Sequence, residues 1–196
     1  MDLLDIHDSE MQTFSQSGED IIIDYILRVS GYPKAQCTYL DIGANHAKEL
    51  SNTYFFYKQG IRGVLVEANP ALIPELKLYR GDDVILNLCI SSTSGNEVPF
   101  YVMSGDGLST SELEAAEEMC KINPALKIEK VVQVKTISLH DILDKYFAQA
   151  PTILNIDIEG KELEILKEID FRVCRPFIII VEMISYKTRL TIEEKK

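Results

Sequence analysis

Three short runs place carboxylates at the ends of apolar stretches. Tyr39-Leu-Asp-Ile-Gly-Ala-Asn45 carries Asp41 and turns through Gly43, and Gly63-Val-Leu-Val-Glu-Ala-Asn-Pro70 ends on Glu67. Asn155-Ile-Asp-Ile-Glu-Gly-Lys161 adds Asp157 and Glu159. In an open α/β sheet, ligands bind beyond the carboxyl ends of the strands. A carboxylate that closes the second strand can accept hydrogen bonds from both hydroxyls of a ribose. Asp41 and Glu67 together therefore point to a nucleoside-containing cofactor.

A dinucleotide fold would carry G-x-G-x-x-G in its first turn, because the pyrophosphate needs close backbone approach. Here the turn reads Gly43-Ala-Asn-His-Ala-Lys48, with one glycine of that set and no Walker lysine. A cofactor with a ribose and no phosphates fits better, and S-adenosylmethionine is the candidate. Asp41 would then receive the ammonium of the methionine end, Gly43 would let the backbone approach the cofactor, and Glu67 would take the ribose hydroxyls.

The third run ends a strand and opens a helix. In an extended chain Asp157 and Glu159 share one side. Either could accept a proton from an attacking hydroxyl, for which a positioned base matters because alcohols ionise far above neutrality. Glu159 alone also reads as a helix-capping carboxylate. The two could help hold a divalent ion, but no third ligand stands out, and no metal site is expected.

Alternating elements must position these residues. Ser17-Gly-Glu-Asp20 reads as a capping box for a helix over 21–27, ending near Gly31 and Pro33. Strands are expected at 38–43, 63–67, 84–90, 152–158 and 177–182. Helices are expected over 47–59, from Asn69 to Gly81 with Pro70 at its first position, over 112–121, from Ser138 to about 149, and over 161–169. Residues 97–103 and 130–136 alternate and suit an antiparallel pair. This pattern gives an α/β fold with a mainly parallel sheet and one antiparallel excursion.

The 196 residues suit one domain: an N-terminal helical segment (1–37), a cofactor-binding core (38–182) and a charged tail (183–196). A formal net charge of −11 argues against nucleic acid, whose phosphates demand clustered Lys and Arg. Cys37, Cys89, Cys120 and Cys174 form no CxxC pair, and with His7, His46 and His140 they make no zinc pattern. Reduced thiols in a cytoplasmic protein account for them. No signal peptide is expected from the acidic start, and no apolar run suits a membrane span.

Five motifs in order resemble the FkbM-type methyltransferases. They are Gln16-Ser-Gly-Glu-Asp20, Leu40-Asp-Ile-Gly-Ala-Asn45, Val66-Glu-Ala-Asn-Pro70, Asn155-Ile-Asp-Ile-Glu-Gly160 and Glu162-Leu-Glu-Ile-Leu166. The resemblance implies a Rossmann-like methyltransferase fold, S-adenosylmethionine as donor and a hydroxyl oxygen as acceptor, on a sugar or a small natural product. It carries Asp41, Gly43 and Asn45 over to the methionine portion, Glu67 to the ribose, Cys89 and Ile90 to the adenine side, and Ala44 and Ala68 as further cofactor contacts. Asp157 and Glu159 fall at the acceptor side, and Asp157 also borders the donor. Glu19 matches the N-terminal motif, as a contact or as part of the cap. The resemblance implies a final hairpin after 177–182; either that hairpin is missing or a partner chain covers the exposed strand edge, so homo-oligomerisation or a truncated family member is expected. Two other readings stay open: a protein of this fold that binds cofactor or assembles without turnover, and an NAD-binding oxidoreductase.

Overall fold

The computed structural model describes residues 12–182. In chain order its elements begin with α1 (Glu19–Val29), β1 (Thr38–Ile42), α2 (Tyr54–Lys58), β2 (Arg62–Val66), α3 (Ile73–Tyr79) and β3 (Val84–Leu86). There follow β4 (Cys89–Ile90), β5 (Glu97–Met103), α4 (Leu113–Ile122) and β6 (Ile128–Ile137). The last are α5 (Leu139–Tyr146), β7 (Ile153–Ile156), α6 (Glu162–Lys167) and β8 (Ile178–Val181).

Apolar runs too short for helices become strands with both faces covered. Five form a parallel sheet in the order β3-β2-β1-β7-β8. Successive side chains go to opposite faces, so β1 feeds two cores. Tyr39 packs with Ile23, Leu27, Phe56 and Leu76 on one side, and Leu40 and Ile42 with Leu139, Ile142 and Ile165 on the other. This is the mainly parallel, helix-flanked α/β architecture expected of a Rossmann-like methyltransferase.

Register is what matters for the site. Ile42 pairs with Val66 on one side and with Ile156 on the other. The carboxyl ends of β1, β2 and β7 are therefore level, and Gly43, Glu67 and Asp157 each leave the sheet one residue later. The order reverses at β1, with β2 to one side and β7 to the other, which is the switch point where ligands of such sheets bind.

The antiparallel excursion is present as β5 on β6, with Phe100 opposite Val132, and β4 adds parallel to β6 in a small three-stranded sheet. The single third strand expected over 84–90 is two strands in two sheets. Asn87 sits at the break, and its side-chain amide donates to the carbonyls of Glu67 (2.9 Å) and Ala68 (3.1 Å).

Three helix starts differ from expectation, each because short polar side chains take backbone groups for themselves. The 47–59 helix shrinks to α2: Leu50 has φ 57, and the amides of Thr53 and Tyr54 donate to Ser51 Oγ. Asn69 does not cap α3. Its side chain accepts from the Ala71 amide in a tight turn, and the helix starts later, with Pro74 in its first turn. The Ser17–Asp20 capping box does not form either. Gly18 is the N-cap with φ 89, Ser15 Oγ accepts from the amides of Gly18 and Asp20, and the buried Asp20 carboxylate gathers Thr13, Phe14 and Ser15. By contrast Ser138 caps α5 as expected, accepting from Asp141 N at 3.1 Å. Among the described residues β8 is an edge strand, and the tail at 183–196, with the question of its hairpin, lies outside them.

Candidate active site

Gly43 turns the chain out of β1 with φ +83, and its amide donates to Val66 O at 2.9 Å. A β-carbon there would lie 1.7 Å from the carbonyl oxygen of Asp157. The space a side chain would take is therefore filled by the β7 turn, and the glycine also borders the cleft. Ala44 is buried and its amide likewise donates to Val66 O. It does not line the cleft.

Glu67 leaves β2 buried but facing the cleft. One carboxylate oxygen accepts from Asn45 N at 2.8 Å and the other from Asn69 N at 2.6 Å. Asn45 holds φ 50 to present its amide. Burial pushes the Glu67 carboxyl up, and the amides of Asn69 and Asn45 pull it back down. Each carboxylate oxygen has two acceptor positions, so both retain one for a ligand hydroxyl.

Asp41 sits in a buried hydrogen-bond network. It is 2% exposed, and its oxygens accept from Thr53 Oγ1 (2.5 Å) and Asn155 Nδ2 (2.8 Å). Neither oxygen faces the cleft. Burial raises its carboxyl above the usual range, against the pull of the Thr53 and Asn155 hydrogen bonds. Behind it the buried Arg80 bonds Thr53 Oγ1, Tyr39 Oη and Asp83. Asp41 thus ties β1 to β7 and to the segment before α2. Glu19 also lies away from the cleft, with its carboxylate on the Ser17 amide at 2.8 Å.

Asp157 and Glu159 both line the cleft, although not on an extended chain, because Glu159 has φ 59. The turn is held from outside. Thr110 Oγ1 donates to Glu159 O at 3.0 Å, and Glu162 Oε1 accepts from Ile158 N and Gly160 N. It is Glu162, at the start of α6, that serves the turn's amides, so Glu159 is not its cap. Glu159 is 7% exposed, and its carboxyl is pushed up to about 9 by burial first, then by the charges of Glu182, Asp157 and Glu162. Its Oε2 is buried with no hydrogen-bond partner among the described residues.

The cleft between these turns has a volume of about 250 Å³. Gly43, Asn45, Glu67, Ala68, Cys89, Ile90, Asp157 and Glu159, scattered along the sequence, all border it. Leu72, Leu88 and Phe100 extend its apolar wall, and burial raises the Cys89 thiol. One side is the loop after β5, with Ser104, Asp106, Gly107 and Ser109 on the cleft. Two anchors of that loop escaped the sequence reading. Thr110 is fully buried, and His46 bridges Glu75 and Asp106 at 3.0 Å to each.

Residues 41–191 match the methyltransferase FkbM domain. The chain belongs to this family. Neither a curated protein nor a solved structure matches it. As a methyltransferase of the FkbM type it requires a methyl donor. No helix among the described residues is long and apolar enough to cross a membrane.

Proposed function

We propose that this FkbM methyltransferase uses S-adenosylmethionine and transfers the methyl group to a hydroxyl oxygen of a sugar or small natural product. The observation that carries this reading is that Glu67, one residue past β2, and Asp157 and Glu159, past β7, border one cleft. The donor set suits the group. Glu67 keeps acceptor capacity for two ribose hydroxyls, Asn45 and Gly43 border the neighbouring end, and Ala68, Leu88, Ile90 and Phe100 offer an apolar wall to a base.

When bound, the sulfonium supplies an electrophilic methyl and a good leaving group. The protein's work is then positioning. Glu67 fixes the donor end, and Asp157, exposed at the cleft, orients the acceptor hydroxyl or takes its proton. The loop 104–111 borders the same space and shields it from water. A small-molecule acceptor in the cytoplasm belongs to this reading, supported by four free thiols and by the net charge of −11, which disfavours nucleic acid. A homo-oligomer through β8 fits its edge position among the described residues.

Calorimetry with S-adenosylhomocysteine and with NAD tests the cofactor, and mass spectrometry of the purified protein looks for retained donor or demethylated product. Binding of S-adenosylhomocysteine is expected, and tight binding of NAD alone would overturn the reading. Turnover by Asp157→Ala at the wild-type rate would remove Asp157 from the chemistry.

A further inference from the structure

Three carboxylates converge where β7 and β8 end. Ile156 pairs with Val181, so Asp157 and Glu182 leave adjacent strands side by side, and Glu182 N donates to Ile156 O. Glu159 returns to them through its left-handed turn. One oxygen from each of Asp157, Glu159 and Glu182 lies within 4.8 Å of the other two. Like charges so close repel, and a buried carboxylate oxygen with no partner is costly. Glu159 Oε2 is such an oxygen. The nearest lysine in sequence, Lys161, gives its ammonium to Glu112 at 2.6 Å.

We propose that Asp157, Glu159 and Glu182 form a divalent-cation site, of the hard oxygen-liganded class that takes Mg²⁺, Mn²⁺ or Ca²⁺, at the rim of the cleft. The geometry suits it. Octahedral ligands at about 2.1 Å from Mg²⁺ stand about 3.0 Å apart when adjacent and about 4.2 Å when opposite, and Ca²⁺ spreads them somewhat further. A carboxylate set with no sulfur or imidazole favours these ions over zinc or copper. The turn is also built to hold its shape: Thr110 pins Glu159 O and Glu162 pins the flanking amides, so Glu159 keeps its backbone strain. Asp157 is exposed and Glu182 half-buried, which leaves room for water and for an acceptor oxygen on the ion. Such an ion would bind the acceptor hydroxyl and ease loss of its proton. That consequence rests on the methyl-transfer reading above, whereas the site itself does not.

The test is Mn²⁺ binding to the chelator-treated full chain, followed by the electron paramagnetic resonance of free Mn²⁺, with Mg²⁺ and Ca²⁺ as competitors. One ion per chain is expected at submillimolar concentration, with a rise in melting temperature on adding Mn²⁺. Glu159→Gln and Glu182→Gln should each weaken binding by about tenfold or more, while Glu117→Gln, at an exposed position of α4, leaves it unchanged. Both ligand variants should melt close to the wild-type temperature in chelator, because glutamine keeps the volume of glutamate at each position. If either fails to fold, Asp157→Asn at the exposed position gives the same reading. No Mn²⁺ bound at millimolar concentration, or equal binding by wild type and ligand variants, overturns the site. Titration with S-adenosylhomocysteine in chelator separates the two proposals. A chain that binds it but no Mn²⁺ loses only the cation site, and one that binds Mn²⁺ alone loses only the cofactor reading.

Discussion

A β-carbon on Gly43 would stand 1.7 Å from the carbonyl oxygen of Asp157, so the turns that bear the two halves of the cleft are packed backbone to backbone. Gly43→Ala meets that clash with backbone at φ +83, where an L-residue is strained. The expected loss is about 2–5 kcal/mol of unfolding free energy, from strain and overpacking together. Urea denaturation reads it. A wild-type midpoint in that variant would mean that the β1 and β7 turns move apart freely.

Glu67 holds two amides at once, those of Asn45 and Asn69. Glu67→Gln keeps the volume but turns an NH₂ group toward one of these donors, leaving it unpaired. The expected cost is about 1–3 kcal/mol in stability, and S-adenosylhomocysteine should bind about tenfold more weakly or worse, because a ribose acceptor is lost as well. Calorimetry beside a melting curve separates the two effects. Unchanged affinity in a folded variant would exclude Glu67 from donor binding.

How these residues meet was only partly visible in the sequence. Apolar runs ending in Asp41, Glu67 and Asp157 announced their strands, because a buried parallel strand must be apolar throughout and its ligand edge need not be. Side-chain direction was less visible. Asp41 lies within β1 while Glu67 and Asp157 lie one residue past β2 and β7, so Asp41 points into the Thr53–Asn155 network and the other two face the cleft. Glu182 gave no local signal as a partner of Glu159, since only the β7–β8 register brings them together. Helix starts failed at Ser51, Asn69 and Ser15 for a common reason: short polar side chains can satisfy nearby amides without a helix.

Arg80 is 1% exposed and forms a buried ion pair, Nε to Asp83 Oδ2 at 2.9 Å, while its other nitrogens reach Tyr39, Thr53, Ser51 and Ala47 O. Arg80→Met leaves Asp83 buried without its counter-charge and frees Thr53, the partner of Asp41. Loss of about 3–5 kcal/mol is expected. Arg80→Lys should recover little of it, because an ammonium cannot reproduce a planar fork with several donors. Urea titration of both variants is the measurement. A lysine variant as stable as wild type would reduce the network to simple charge pairing.

His46 joins α3 to the loop over the cleft, with Nδ1 on Glu75 and Nε2 on Asp106. The hydrogen bond to Glu75 is the main cause holding its proton above the ordinary value of about 6.5, with Asp106 adding to it against a smaller burial effect. A pKa raised in the folded state means a contribution that is complete below the unfolded value and lost as pH rises through the folded one. The melting-temperature advantage of wild type over His46→Gln should therefore be full in mild acid and shrink as the solution becomes alkaline. Asp106 borders the cleft, so cleavage of the 104–109 loop by a protease should quicken over the same interval. Nuclear magnetic resonance of the His46 ring gives the midpoint directly, and Asp106→Asn should lower it. An advantage that stays flat or grows with pH would show that the imidazole bridges the two carboxylates without holding the extra proton.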